Sequence, residues 1–286
     1  MFFKESSDFT KVPNSGYMEG AEPFEYITPT NDKAILFIHG FPGSPKMYYM
    51  VRELAIKNGY DVFIPALPGF GTKKEDFIYS NFSMWFNFIK NYYMDKRVKY
   101  KRFYIVGTSM GGSITLKLAE EFSGDSSYEP TAIASVAAPV FLNSLFRGVV
   151  KSPLLYFIRT IARFISYIPP KEPVKDPSLD EDGECEWVGY YGLFPKQIKS
   201  FMFALKTIKR ELNKITVPCF LIHAKEDKTV SFKSLPVIFK NIKSDKILLR
   251  VISLKKWKHS NHSLFIYKSV VNPLWSDIEY FFNGID

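Results

Sequence analysis

Hydrophobic positions along the chain fall into two alternating kinds of run. Short apolar runs at 33–38, 61–66, 102–106, 131–137, 217–223 and 247–254 have the length of strands. Longer segments with helical spacing lie between and after them, at about 45–58, 82–97, 110–122, 231–242 and 273–283. This alternation predicts an α/β fold, a mostly parallel central sheet with helices on both faces. Strands buried on both sides should be continuously apolar rather than alternating, as the runs 35–38 and 131–138 are. In such sheets ligands bind outside the carboxyl ends of the strands, so the loops that follow the apolar runs are where chemistry is expected.

The alternation is interrupted once. From Pro139 to about Leu212 the chain reads first as a strongly apolar stretch, Phe141 to Ile168, carrying cations at Arg147, Lys151, Arg159 and Arg163. A proline-rich acidic loop follows, Pro169 to Glu186, and helical spacing returns at 195–209. The organisation expected is therefore a core in two parts, 1–139 and 213–286, with an insertion at 140–212. The apolar face of the insertion should cover the sheet edge and its arginines should meet water. A cationic, amphipathic lid would also permit transient contact with a membrane surface.

Composition refines this picture without redirecting it. With 286 residues, 46% of them hydrophobic, the chain can bury one large core. The net charge of +9 admits anionic partners, but the lysines are scattered and no basic-aromatic motif stands out, so a solvated basic surface is expected and nucleic-acid binding is not. The two cysteines, Cys185 in the acidic loop and Cys219 in an apolar run, predict no structural disulfide. The opening residues lack the cationic and long apolar regions of a signal peptide, and no stretch of eighteen uncharged apolar residues occurs, which together predict a soluble, cytoplasmic protein. No metal-ligand cluster and no cofactor motif is visible; oligomeric state is silent.

Candidate chemistry sits in the loops. Gly107-Thr108-Ser109-Met110-Gly111-Gly112 joins the apolar run 102–106 to the helical run 110–122, which is the setting of a nucleophile elbow. A serine hydroxyl reacts only when a sharp turn lifts it to where a base can reach it and helix N–H groups face the developing charge. Serine is also a common helix N-cap, but a cap needs no glycines on both sides. After the run 217–224, the loop Lys225-Glu226-Asp227-Lys228-Thr229-Val230 offers two carboxylates, Glu226 and Asp227, either of which could orient a base. After the run 247–254, His259-Ser260-Asn261-His262 offers two candidate bases. His39 reads as a structural loop histidine bonded to nearby backbone, and His223, inside an apolar run, as a satisfied core residue.

Serine, then acid, then histidine is the order of the α/β-hydrolases. The chain resembles that family over roughly residues 30 to 282, and within it the small carboxylesterases and monoacylglycerol lipases. Four motifs carry the resemblance: Phe37 to Ser44, Gly107 to Gly112, Ala224 to Val230, and Ser260-Asn261-His262. The resemblance implies Ser109 as nucleophile, His262 as general base and acid, and Asp227 as the carboxylate that holds the imidazole. It also implies an oxyanion hole made by the backbone N–H groups of Phe41 and Met110. The expected partner is a small ester with a medium or long acyl chain, and Phe146, Leu154, Phe157 and Ile158 are the expected acyl-pocket residues. A thioesterase would keep the same triad, and a non-catalytic binding protein could keep the same fold. The first thirty residues match no motif.

Overall fold

In a computed structural model of the protein, which describes residues 16–142, 153–170, 182, 187–254 and 261–285, seven strands form one sheet. They are β1 (Phe24–Tyr26), β2 (Lys33–Ile38), β3 (Asp61–Ile64), β4 (Arg102–Thr108), β5 (Ala132–Val136), β6 (Cys219–Ala224) and β7 (Ile247–Ile252), in the order β1-β3-β2-β4-β5-β6-β7. Only β1 runs antiparallel, pairing Phe24 with Ile64; the other five pairings are parallel. Side-chain alternation then assigns each face its own core. Ala34, Leu36 and Ile38 of β2 and Phe103 and Ile105 of β4 face one cluster, while Ile35, Phe37, Tyr104 and Val106 face the other.

Helices α1 (Tyr49–Lys57) and α8 (Lys268–Asn283) close the second face through Val51, Ala55, Leu274, Trp275 and Ile278. Helices α3 (Phe82–Arg97), α4 (Met110–Phe122), α6 (Pro195–Glu211) and α7 (Ser234–Asn241) close the first. The helix over 82–97 begins where expected because Asn81 caps it, its side chain accepting from the N–H of Met84 at 3.1 Å. The central helix α4 is buried along almost its whole length, consistent with an apolar pattern with few polar interruptions.

Several expectations are corrected. The edge strand β1 and the short helix α2 (Lys74–Tyr79) escape the hydrophobic pattern, since three- and six-residue elements carry too few positions to show a period. Strand β7 is an edge, with Leu248, Leu249 and Val251 exposed, so its apolar run does not mean burial on both faces. Helix α8 starts five residues before Pro273, which lies inside it rather than at its first turn. Its beginning is held from far away: Asp182, in the acidic loop, accepts from the backbone N–H of Ser269 at 2.9 Å and from the Ser269 hydroxyl, and its own carbonyl accepts from the N–H of Lys268.

Between β5 and β6 lie α5 (Pro153–Phe164) and α6, which pack on each other. Helix α6 also inserts Phe201, Leu205 and Ile208 into the core that the sheet shares with α3 and α4. No helix among the described residues is long and apolar enough to cross a membrane.

Candidate active site

The turn between β4 and α4 contains a single residue, Ser109, at φ 58° and ψ −122°. A side chain in that region is strained by roughly 1–3 kcal/mol and persists only where its surroundings impose it. Here the Ser109 N–H donates to the Val136 carbonyl at 2.8 Å, and the Ser109 carbonyl accepts from Ser113 at 3.1 Å. The glycines on either side are required by contact. A Cβ on Gly107 would lie 2.2 Å from the Gly111 carbonyl, and one on Gly111 would lie 1.9 Å from that of Ile38. Ser109 occupies the N-cap position of α4, yet its side chain makes no capping bond. The hydroxyl is left for other work.

The loop after β2 runs directly beside it. A Cβ on Gly40 would sit 2.9 Å from Ser109 Cβ and 3.5 Å from its hydroxyl, so only glycine lets the backbone come this near. Phe41 follows, joined to Pro42 by a cis peptide, and its ring packs against Phe70, Phe77 and Trp85. Met110, fully buried, opens α4. Gly40, just before Phe41, and Met110 thus approach Ser109 from two elements, and the α4 N-terminus carries the partial positive charge of a helix dipole. His39 supports the loop from below. Leu67 N–H donates to its Nε2 at 3.1 Å, so the proton is on Nδ1, which donates to the Gly40 carbonyl at 3.2 Å. Burial holds this imidazole down at about 4, neutral at physiological pH. The structural role expected for His39 is the one it has.

Across the same edge, Asp227 follows β6 and His262 follows β7. His262 Nδ1 lies 2.7 Å from Asp227 Oδ2. Asp227 Oδ1 accepts from the N–H groups of Thr229 and Val230 at 2.8 and 2.9 Å. Burial alone would raise this carboxyl, but the charge of His262 and hydrogen bonds from His223 and His262 outweigh it and hold the group below the ordinary carboxylate range. Glu226, the alternative acid, turns away to accept from the Ser253 hydroxyl and the Leu254 N–H at 3.0 and 2.9 Å. Asn261 (φ 52°) sets the backbone before His262, with its amide on the Glu226 carbonyl at 3.3 Å. His262 Nε2 is buried and has no hydrogen-bond partner among the described residues. His259 lies outside the described residues.

Of the four expected acyl-pocket residues, the side chains of Phe157 and Ile158 are described. Ile158 is buried and lines a small recess between α5 and α6 with Lys199, Met202, Phe203 and Lys206, whereas Phe157 is 62% exposed and faces solvent. Phe146 and the side chain of Leu154 lie outside the described residues. Two contributions were missed by sequence reasoning. The backbone of Gly189 packs so closely on the Ser109-flanking loop that a Cβ there would lie 2.4 Å from the Pro42 carbonyl, which also accepts from Tyr190 N–H at 3.1 Å. His223 is the satisfied core residue expected, but its partner was not foreseen: its Nε2 lies 3.2 Å from Asp227 Oδ2. The four-residue spacing from His223 to Asp227 was its only trace in the sequence. Among the described residues no group of three or more His, Cys, Asp or Glu side chains is arranged to hold a metal ion, and Cys219 is free and buried.

A parallel sheet with helices on both faces, a strained serine after a central strand and an aspartate–histidine pair after the last two strands define an α/β-hydrolase. More narrowly, the chain belongs to the family described as serine aminopeptidase, S33, whose profile matches residues 29–263. It is similar to the thermostable monoacylglycerol lipase of Bacillus sp. (strain H-257), 26% identical over 79% of this chain and 82% of that one. It is also similar to a carboxylesterase of Bacillus subtilis (strain 168), 22% identical over 88% of this chain and 93% of that one. Among solved structures, one from the metagenome-derived lipolytic enzymes LipS and LipT superposes with a TM-score of 0.78, at 21% identity, over 94% of this chain and 99% of that one.

Proposed function

We propose that the protein is a serine esterase that cleaves carboxylic esters of medium or long acyl chain, monoacylglycerol-like, through an acyl-enzyme on Ser109. The observation that carries this reading is the 2.7 Å His262–Asp227 pair at the same sheet edge as the strained Ser109. His262 Nε2 takes the Ser109 proton as Oγ attacks the ester carbonyl. The resulting oxyanion is met by the backbone N–H groups of Phe41 and Met110. The tetrahedral intermediate collapses, the ester C–O bond breaks, and His262 returns the proton to the leaving alcohol. Water then attacks the acyl carbonyl while giving a proton to His262, the acyl C–O bond to Ser109 breaks, and His262 returns the proton to Ser109 Oγ as the acid leaves. The monoacylglycerol lipase and carboxylesterase relatives support the ester substrate class. Residues 140–212 act as the cap, and its apolar side chains supply the acyl site.

Each methylene buried in such a site contributes about 0.8 kcal/mol, close to a fourfold gain. Across 4-nitrophenyl esters, kcat/KM should therefore rise from acetate at least to octanoate. The Ser109→Ala variant should lose both hydrolysis and fluorophosphonate labelling while keeping the native circular dichroism. Labelling of that variant at the native rate would remove Ser109 from the mechanism, and a preference for acetate would replace the lipid-like substrate by a short-chain ester. Faster turnover of acyl thioesters than of matched oxygen esters would make the enzyme a thioesterase.

A further inference from the structure

His223 is a buried titratable group that the acyl-enzyme steps do not use. It sits on β6 at 1% exposure, on the side of the strand that also carries Cys219 and Leu221, with its ring edge-on to Phe232 at 5.7 Å. Packing against Phe232 asks only for an apolar ring. Instead Nε2 reaches Asp227 Oδ2, the same oxygen that receives His262 Nδ1. Asp227 is held as a carboxylate and can only accept, so His223 Nε2 carries the proton and donates. Two imidazoles therefore converge on one oxygen, at 2.7 and 3.2 Å, while two backbone N–H groups hold the other.

We propose that His223 is a positioning residue for the charge-relay pair: it fixes the rotation of the Asp227 carboxylate and moderates the pull of Oδ2 on His262. This inference rests on the assignment of Ser109, Asp227 and His262 as the catalytic triad. The first effect is geometric. With Oδ1 tied to the loop backbone and Oδ2 tied to β6, the carboxylate cannot swing, and its remaining lone pair points at His262. The second effect is electronic. A hydrogen bond into Oδ2 draws charge from it, so the attraction between Asp227 and the imidazolium that forms in the transition state is less than it would otherwise be. Glu226 faces Ser253 and Leu254, and Lys225, Lys228 and Lys233 are exposed.

The test compares three substitutions in the full-length enzyme, with active sites counted by fluorophosphonate titration. His223→Phe keeps the ring and removes the donor. His223→Asn keeps polarity, but its amide stops near the Nδ1 position and falls short of Asp227. His223→Gln restores an N–H near the Nε2 position. For the phenylalanine and asparagine variants, kcat per active site should fall by about tenfold with KM within about twofold. The acid limb of kcat/KM should move up by about half a pH unit, because Oδ2 relieved of one donor holds the imidazolium more strongly. The glutamine variant should keep the native limb and most of the native kcat.

A merely structural His223 would lower Tm in all three variants and leave the limb and the per-site kcat unmoved, which would overturn the proposal, as would a glutamine variant behaving like the asparagine one. If His223→Phe does not fold, the asparagine and glutamine pair carries the comparison. Loss of labelling and hydrolysis in Ser109→Ala beside an unchanged His223→Asn would sink the positioning role alone. Retained labelling in Ser109→Ala would sink the triad assignment on which it rests.

Discussion

Two of the carboxyl groups buried among the described residues behave in opposite ways. Asp227 after β6 receives four N–H donors and is held ionised below the ordinary carboxylate range. Glu120, on the flank of α4 towards the end of α6, has no hydrogen-bond partner on either oxygen among the described residues, with Lys117 Nζ at 3.5 Å. Burial pushes it up to about 8, helped by the repulsion of Glu211, while Lys117 and Lys214 pull only partly the other way. The side chains of both are 0% exposed. Depth therefore does not decide the charge of a buried acid. The number of donors aimed at it does.

The largest expected effect comes from removing that anion. Asp227→Asn should lower kcat by roughly 10³–10⁴-fold through loss of the imidazole tautomer and of its countercharge. His262→Ala should cost at least about a thousandfold, since base and nucleophile act as a unit, and His259→Ala less than about tenfold. Steady-state rates on a 4-nitrophenyl ester decide these. If His259 proves the sensitive member of its pair, the base is not the imidazole that Asp227 holds.

Next in size is a stability effect with no catalytic counterpart. Because the folded-state value of Glu120 lies above its unfolded one, the folded protein keeps this proton as pH rises past the ordinary carboxyl range, while the unfolded chain loses it. The resulting penalty is absent below about pH 4.5, grows towards about 8 and then levels off. Glu120→Gln should thus stabilise the protein, by an amount that increases between pH 5 and 8 to the order of 2 kcal/mol. Thermal melts at the two pH values check it, and a gain that does not grow with pH would mean that Glu120 is already ionised. Asp227 runs the other way. It contributes stability above the ordinary carboxyl range and loses it only as pH falls into strong acid, so the decline of activity just below neutrality should follow a histidine rather than Asp227.

The smallest effect should come from the carboxylate next door. Glu226 bonds to Ser253 and Leu254 outside the relay, and Glu226→Gln should change kcat by less than about threefold. A hundredfold loss in that variant would make Glu226 the acid and would end the contrast drawn with Glu120.

The glycine-flanked serine turn and the aspartate–histidine pair differ in how far they could be read before the fold was known. Ser109 was legible because a one-residue turn between strand and helix forbids a Cβ at 107 and at 111, and only glycine meets that demand. The same local logic announced the helices over 82–97 and 110–122 and the strand over 33–38. The loops after β6 and β7 showed two acids and two histidines each within reach, and residues alone left both choices open. Asp227 differs from Glu226 in the direction its side chain takes out of a turn, which depends on Thr229 and Val230 presenting their N–H groups. Spacing carries no record of that.

Order of elements, sheet character and the position of the strained serine follow from the sequence by itself, because they rest on backbone sterics and on hydrophobic periodicity within a few residues. Other features were decided only by the tertiary structure. They include the cap of α8 by Asp182, the closeness of Gly189 to Pro42, the convergence of His223 and His262 on one oxygen, and the lack of donors around Glu120. Most of these join atoms tens of residues apart; even His223, only four positions before Asp227, meets it through a turn whose path the sequence does not state. Their distances are set by how the helices seat on the sheet, and a contact of that kind has no period for a sequence to display.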